Sequence, residues 1–136
     1  MENFELTDLM IDRARGALLA SAAGDALGVP YEFAKATDDP QMIGGGLGPY
    51  EPGEWSDDTQ MAICIGLVAD SGVRLTSDAA HDEIGQNFIN WMHDGATDIG
   101  GLEAAAVQVH VFATGQGLDD RGIGRRPADA VFLQRL

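Results

Sequence analysis

The sequence predicts an all-α chain. Three stretches, residues 7–27, 56–70 and 77–92, space their apolar residues as helices do and begin at recognisable caps. No stretch before residue 100 reads clearly as a strand, and the longest gap, residues 34–54, is crowded with glycine and proline. With 136 residues, of which 45% are hydrophobic, one folded domain is expected rather than disorder.

The first helix opens at Thr7, a suitable N-cap, and Leu9 or Met10, Ala14, Ala17, Leu18 and Ser21 recur along it at three- and four-residue steps. Gly16, Ala20 and Gly24 form a ridge of small residues that would let another helix approach closely. Gly28 followed by Pro30 is a stop signal. Residues 34–54 then read as a loop, longer than a plain connection requires and therefore a candidate functional loop. Its Gly44-Gly45-Gly46-Leu47-Gly48 run lacks the Gly-Lys-Ser/Thr ending of a phosphate-binding P-loop.

Ser56 caps the second helix, whose apolar face is Met61, Ala62, Ile65 and Val68 or Ala69, widened by Ile63 and Leu67. A helix so apolar around its circumference is expected to be buried. Ser77 or Thr76 caps the third, with Ala80, Ile84, Phe88 and Trp91 or Met92 facing inward. Residues 93–100 read as loop, residues 102–114 are compatible with helix or strand, and residues 115–130 are irregular.

The net charge is −14, which disfavours nucleic acid and anionic membrane surfaces as partners. A phosphate-bearing ligand would also be repelled unless bound cations reversed the local sign. The N-terminus has neither the basic nor the hydrophobic region of a signal peptide, and no apolar run is long enough to span a membrane, so a soluble cytoplasmic chain is expected. The single cysteine, Cys64, lies in an apolar run and is read as a small buried hydrophobe. His81, His93 and His110 have no mutual metal-ligand spacing.

Ser56-Asp57-Asp58-Thr59 is the strongest chemical constellation. Serine followed by two carboxylates is what a well-capped helix needs for its own sake, because first-turn carboxylates complement the helix dipole. The same hydroxyl and carboxylates are hard oxygen donors, a partial shell suited to magnesium or calcium and poorly suited to zinc or copper. Asp25 is the second candidate. It lies late in a helix of small and apolar residues, where a carboxylate opposes the dipole and needs a partner unless it faces solvent or caps locally. Glu32, seven residues on, could reach the same region. Asp98, in Gly95-Ala96-Thr97-Asp98-Ile99-Gly100, is by default a turn residue.

Three segments resemble the ADP-ribosylglycohydrolase family, in that family's order. They are Gly16 to Gly28 with Glu32-Phe33 following, Pro52-Gly53-Glu54-Trp55-Ser56-Asp57-Asp58-Thr59-Gln60-Met61, and Trp91 to Gly100 ending in Asp98-Ile99-Gly100. The middle segment is the specific one, and together they cover about residues 9–100. The resemblance implies an orthogonal helical bundle with two magnesium ions in a central cleft, and hydrolysis of the bond joining ADP-ribose to a protein side chain or small acceptor. It implies Ser56, Asp57 and Asp58 as metal ligands, Glu32 as a gating or water-positioning carboxylate, Asp98 near the ribose, and a structural role for Asp25. The implied partner is an ADP-ribosylated protein or a small ADP-ribosyl molecule. A non-catalytic, crystallin-like relative and a plain helical module are the alternatives.

The chain departs from the family pattern after residue 100. The family's later Asp-x-Asp-Ser/Thr ligands find no match in Asp119-Asp120-Arg121, and Gly101-Leu102-Glu103 stands where a polar Thr-Arg helix start is usual. The charge changes at the same place: residues 1–100 hold 18 acidic and four basic side chains, and residues 101–136 hold four of each. The expectation is therefore a family-like N-terminal part over residues 1–100, incomplete as a bundle, and a divergent tail over 101–136 of the kind a truncation or frameshift produces.

Overall fold

Alanine and leucine, both strong helix formers, dominate the first helix, α1, which spans Asp8–Gly28. Its N-cap is Thr7, whose Oγ1 accepts from the Met10 N–H at 3.3 Å. The proline at position 30 cannot donate to an α-helical ladder, and the chain tightens there into a 3₁₀ turn, Val29–Tyr31. In this computed structural model, residues 7–96 and 99–101 are described. Among them the remaining regular elements are α2, Asp57–Asp70, and α3, Asp78–His93, with no strand, so the described part is all-α as the sequence predicts.

The core lies between α2 and α3. Trp91 Nε1 donates to Gln60 Oε1 at 2.6 Å, and Asn87 Nδ2 donates to the Cys64 carbonyl at 2.9 Å. One partner number rises by four as the other falls by four, so the two helices run antiparallel, in register one turn apart. Cys64 is fully buried, and its thiol donates to the Asn87 carbonyl at 3.7 Å, in line with its reading as a packed small residue. Met61, Leu67, Phe88, Met92, Ala96 and Ile99 close around Cys64 and Trp91.

The buried seam differs from the apolar faces expected. On α3, Ala80 and Trp91 are buried, but Gln86, Asn87, Ile89 and Asn90 share the interior, while Ile84, Phe88 and Met92 are half-buried. On α2 the deepest residues are Ile63, Cys64 and Val68, and Ile65 is exposed. Buried amides are tolerated because they find partners: Gln86 Nε2 donates to Asn90 Oδ1 at 3.0 Å, and no buried side-chain polar atom among the described residues lacks a hydrogen bond.

On α1 only Ala22 and Ala26 are buried, and Leu9 and Leu19 on the same helix are exposed. The ridge of Gly16, Ala20 and Gly24 makes no close helix contact among the described residues, because a Cβ added at Gly16 or Gly24 meets nothing within 4 Å. Small residues permit a close approach without requiring one. Here it is the Ala22 and Ala26 positions, offset around the helix, that go inward.

The expected loop is present and is held at three points. The Tyr31 hydroxyl accepts from the Gln41 N–H at 2.8 Å and donates to the Gln41 carbonyl at 3.2 Å. The Gly45 N–H donates to the Tyr50 carbonyl at 2.8 Å, forming an isolated antiparallel bridge. Further on, the Glu51 N–H donates to Glu54 Oε2 at 2.7 Å, and the chain then enters α2.

Candidate functional site

The end of α1 and the start of α2 meet at one carboxylate. Ser56 occupies the N-cap position, but its side chain makes no cap bond to the helix it opens. Asp25 does so from α1. The Thr59 N–H donates to Asp25 Oδ2 at 3.1 Å, which satisfies one of the amides that a helix start leaves without an internal partner. The Ser56 N–H donates to both Asp25 oxygens, at 3.1 and 3.0 Å. The two hydroxyls add the shortest bonds, Ser56 Oγ to Oδ1 and Thr59 Oγ1 to Oδ2, each 2.6 Å.

This corrects the reading of Ser56 as a self-sufficient cap and supplies the partner that Asp25 needs. A carboxylate late in α1 opposes that helix's dipole, but it faces the positive end of α2 instead. A sequence signal for the pairing existed in retrospect: Asp25 lacks a nearby cation, and hydroxyl residues stand at both the N-cap and third positions of α2. Nothing local linked the two, since 31 and 34 residues separate Asp25 from Ser56 and Thr59.

A cleft of about 740 Å³ opens beside this joint, and Glu32, Ser56, Asp57 and Asp58 all line it. Four of the five sequence-predicted site residues thus share one cavity, while the fifth, Asp98, lies outside the described residues. Gly100, two positions after Asp98, is also on the wall. Asp57 and Asp58 reach the cleft from the first turn of α2, and Glu32 from the residue that ends the 3₁₀ turn. Ser56 is buried, Asp57 half-buried and Asp58 exposed, which grades the wall from packed to solvated.

Several lining residues were not foreseen. Gly24 and Gly28, one turn apart on α1, leave open space where side chains would stand. The remaining wall includes Tyr31, Phe33 and Leu47. Phe33 has φ +54°, a left-handed conformation uncommon outside glycine, and the residue is 89% exposed. The periodicity that locates helices gives no information about such positions.

The donors suit a hard divalent cation in kind: two carboxylates and a hydroxyl on one helix start, with the carboxylates of Glu32 and of Asp25 also on the cleft wall. They are a partial shell. Among the described residues no three His, Cys, Asp or Glu side chains stand close enough together to hold a metal ion. His81 and His93 are exposed, and neither is among the lining residues.

The chain is 46% identical over 59 residues to the ADP-ribosylarginine hydrolase Tri1 of Serratia proteamaculans, covering 40% of this chain and 16% of that one. It is 47% identical over 57 residues to the Pseudomonas putida protein of the same name, covering 40% and 15%. It is 35% identical over 96 residues to the ADP-ribosyl-(dinitrogen reductase) glycohydrolase of Rhodospirillum rubrum, covering 65% and 31%. The matched segments therefore span less than a third of each relative's length. No solved structure matches at comparable stringency. The family profile for ADP-ribosylglycohydrolase matches residues 6–132, nearly the whole sequence, and on that breadth the chain belongs to the ADP-ribosylglycohydrolase family.

Proposed function

We propose that the cleft is the metal-bearing part of a magnesium-dependent hydrolase site that removes ADP-ribose from a protein side chain or a small acceptor. The observation that carries this reading is the gathering of Glu32, Ser56, Asp57 and Asp58 around one cavity. A volume of about 740 Å³ is within the range of small-molecule sites. Ser56, Asp57 and Asp58 would hold magnesium, Glu32 would orient a water, and Asp98 would lie toward the ribose. Magnesium, when bound, would neutralise a pyrophosphate in this acidic chain and polarise the scissile centre.

The named relatives act on ADP-ribosylarginine and on ADP-ribosyl-dinitrogen reductase. An ADP-ribosylated protein, or a small molecule carrying the same group, is the corresponding partner for this chain. Because the described residues supply a partial shell and the sequence holds no Asp-x-Asp-Ser/Thr run, weak magnesium binding and little turnover are expected of the 136-residue chain. Calorimetry with magnesium and with ADP-ribose tests the reading. Heat for both, lost in Asp57→Ala, supports it. No heat for either favours a non-catalytic relative or a plain helical module. Robust ADP-ribose release that disappears in Asp57→Ala would overturn the expectation of low turnover and place the missing ligands outside the described residues.

A further inference from the structure

We propose that Asp25 is a positioning residue for the cation site, acting through the hydroxyl of Ser56. The inference rests on the reading of Ser56, Asp57 and Asp58 as a cation half-site and adds a residue that does not itself bind the cation.

The bonding capacity of Asp25 carries the argument. An ionised carboxylate offers about four lone-pair directions on its two oxygens. Four donors meet Asp25: the N–H and Oγ–H of Ser56, and the N–H and Oγ1–H of Thr59. Asp25 lines the cleft, yet its oxygens are taken up by this set and have little left to offer a cation. Its influence passes through what it holds.

A serine hydroxyl has one proton and two lone pairs. The Ser56 proton is directed to Asp25 Oδ1 along a bond of 2.6 Å, the short distance of a charge-assisted contact. What Ser56 can then present to the cleft is lone pairs. A hydroxyl with its proton turned toward a cation repels it, whereas one with its proton turned into a carboxylate is a ligand, and a more basic one. Carboxylates that orient metal ligands from behind work in this way, and their loss typically weakens metal affinity by about 10–100-fold.

Thr59 supplies an internal comparison. Its hydroxyl makes an equally short bond to the other Asp25 oxygen, but Thr59 is not among the residues lining the cleft. The Thr59 bonds attach α2 to α1, while the Ser56 bond also orients a donor toward the cation.

Manganese serves as the probe, being a hard, oxygen-seeking and paramagnetic cation. In the full chain, Mn2+ should broaden the amide signals of residues 57–59, and this should be lost in Asp57→Ala. Asp25→Asn, shown to be folded by circular dichroism, should bind Mn2+ about 10–100-fold more weakly. Ser56→Ala should lose a similar factor, and the double variant no more than the weaker single one, because Asp25 acts through Ser56. Thr59→Val should lower the thermal midpoint while Mn2+ affinity stays as in the parent. Parent-like affinity in folded Asp25→Asn, with Asp57→Ala still losing binding, would reduce Asp25 to a helix cap and overturn the proposal alone. Multiplying losses in the double variant would also overturn it. If Asp25→Asn does not fold, Ser56→Ala and Thr59→Val decide the matter: equal losses, or none in either, overturn the proposal. No Mn2+ effect on the parent would remove the cation reading itself, and this inference with it.

Discussion

Gly46 has φ +78°, and a Cβ built there would run into the carbonyl oxygen of Val29, so no other residue fits without moving the loop from the 3₁₀ turn. Gly46→Ala should cost on the order of 1–3 kcal/mol, with strain and contact acting together. Gly24 is the opposite case. It sits inside α1 with ordinary helical backbone and open space around it, so Gly24→Ala should stabilise the chain by up to about 1 kcal/mol through helix propensity. Paired urea melts check both: a lower midpoint for the first and a higher one for the second. The reverse order would mean that the loop does not press on Val29 and that the Gly24 face is occupied. The same substitution puts a methyl group into the cleft, so a fall in ADP-ribose affinity alongside a rise in stability would separate the two uses of that position.

All three helices start where the sequence predicts, α1 and α3 because their caps are local, α2 although its side-chain cap comes from Asp25 on α1. Thr7 and Ser77 each bond the amide three residues ahead, a pattern fixed by four consecutive residues. Which face turns inward was less visible. The periodicity of α3 points to Ala80, Ile84, Phe88 and Trp91 or Met92, of which Ala80 and Trp91 are fully buried, but the polar residues among its deepest positions are acceptable only through partners on the neighbouring helix or one turn along. The candidate site was half visible for the same reason: Ser56-Asp57-Asp58 is contiguous, whereas the Asp25 joint and the open glycines of α1 exist only once the helices meet. The α2–α3 seam allows a sharp test. Trp91→Phe removes the donor that satisfies buried Gln60 Oε1, and should cost about 1–3 kcal/mol by chemical denaturation. Adding Gln60→Leu removes the stranded acceptor and should recover part of that loss. A double variant as unstable as the sum of the singles would show that packing, not the hydrogen bond, holds the seam.

Among the described residues, the molecule divides into a packed pair, α2 with α3, and a looser partner, α1, that is tied to the start of α2 through the carboxylate of Asp25. No described helix is long and apolar enough to cross a membrane. Most of the large exposed apolar side chains of the described part, among them Leu19, Phe33, Ile43 and Leu47, are spread over α1 and the loop that follows it, with Ile65 and Leu75 the exceptions. The cleft lies where the looser partner meets the tighter pair, so its shape depends on the contact with the fewest supports.

That division also sets an order in time. The α2–α3 pair is joined by residues 71–77, while α1 and α2 are joined by residues 29–56, about four times as many. Two doublings of a flexible connection add about 1.2 kcal/mol to the entropy of closure. The helical pair can zip from its short turn, but the Asp25 bonds form only after the long segment closes. The acidic cleft is therefore expected to assemble last and to open first. Amide hydrogen exchange should show it: Ser56 and Thr59, whose N–H groups depend on Asp25, should exchange through a low-energy opening, well ahead of amides near Cys64 and Asn87. Equal protection across both sets would mean that α1 folds in one step with the pair. A ligand that bridges the cleft would slow the first set selectively, since it would close the same opening from the other side.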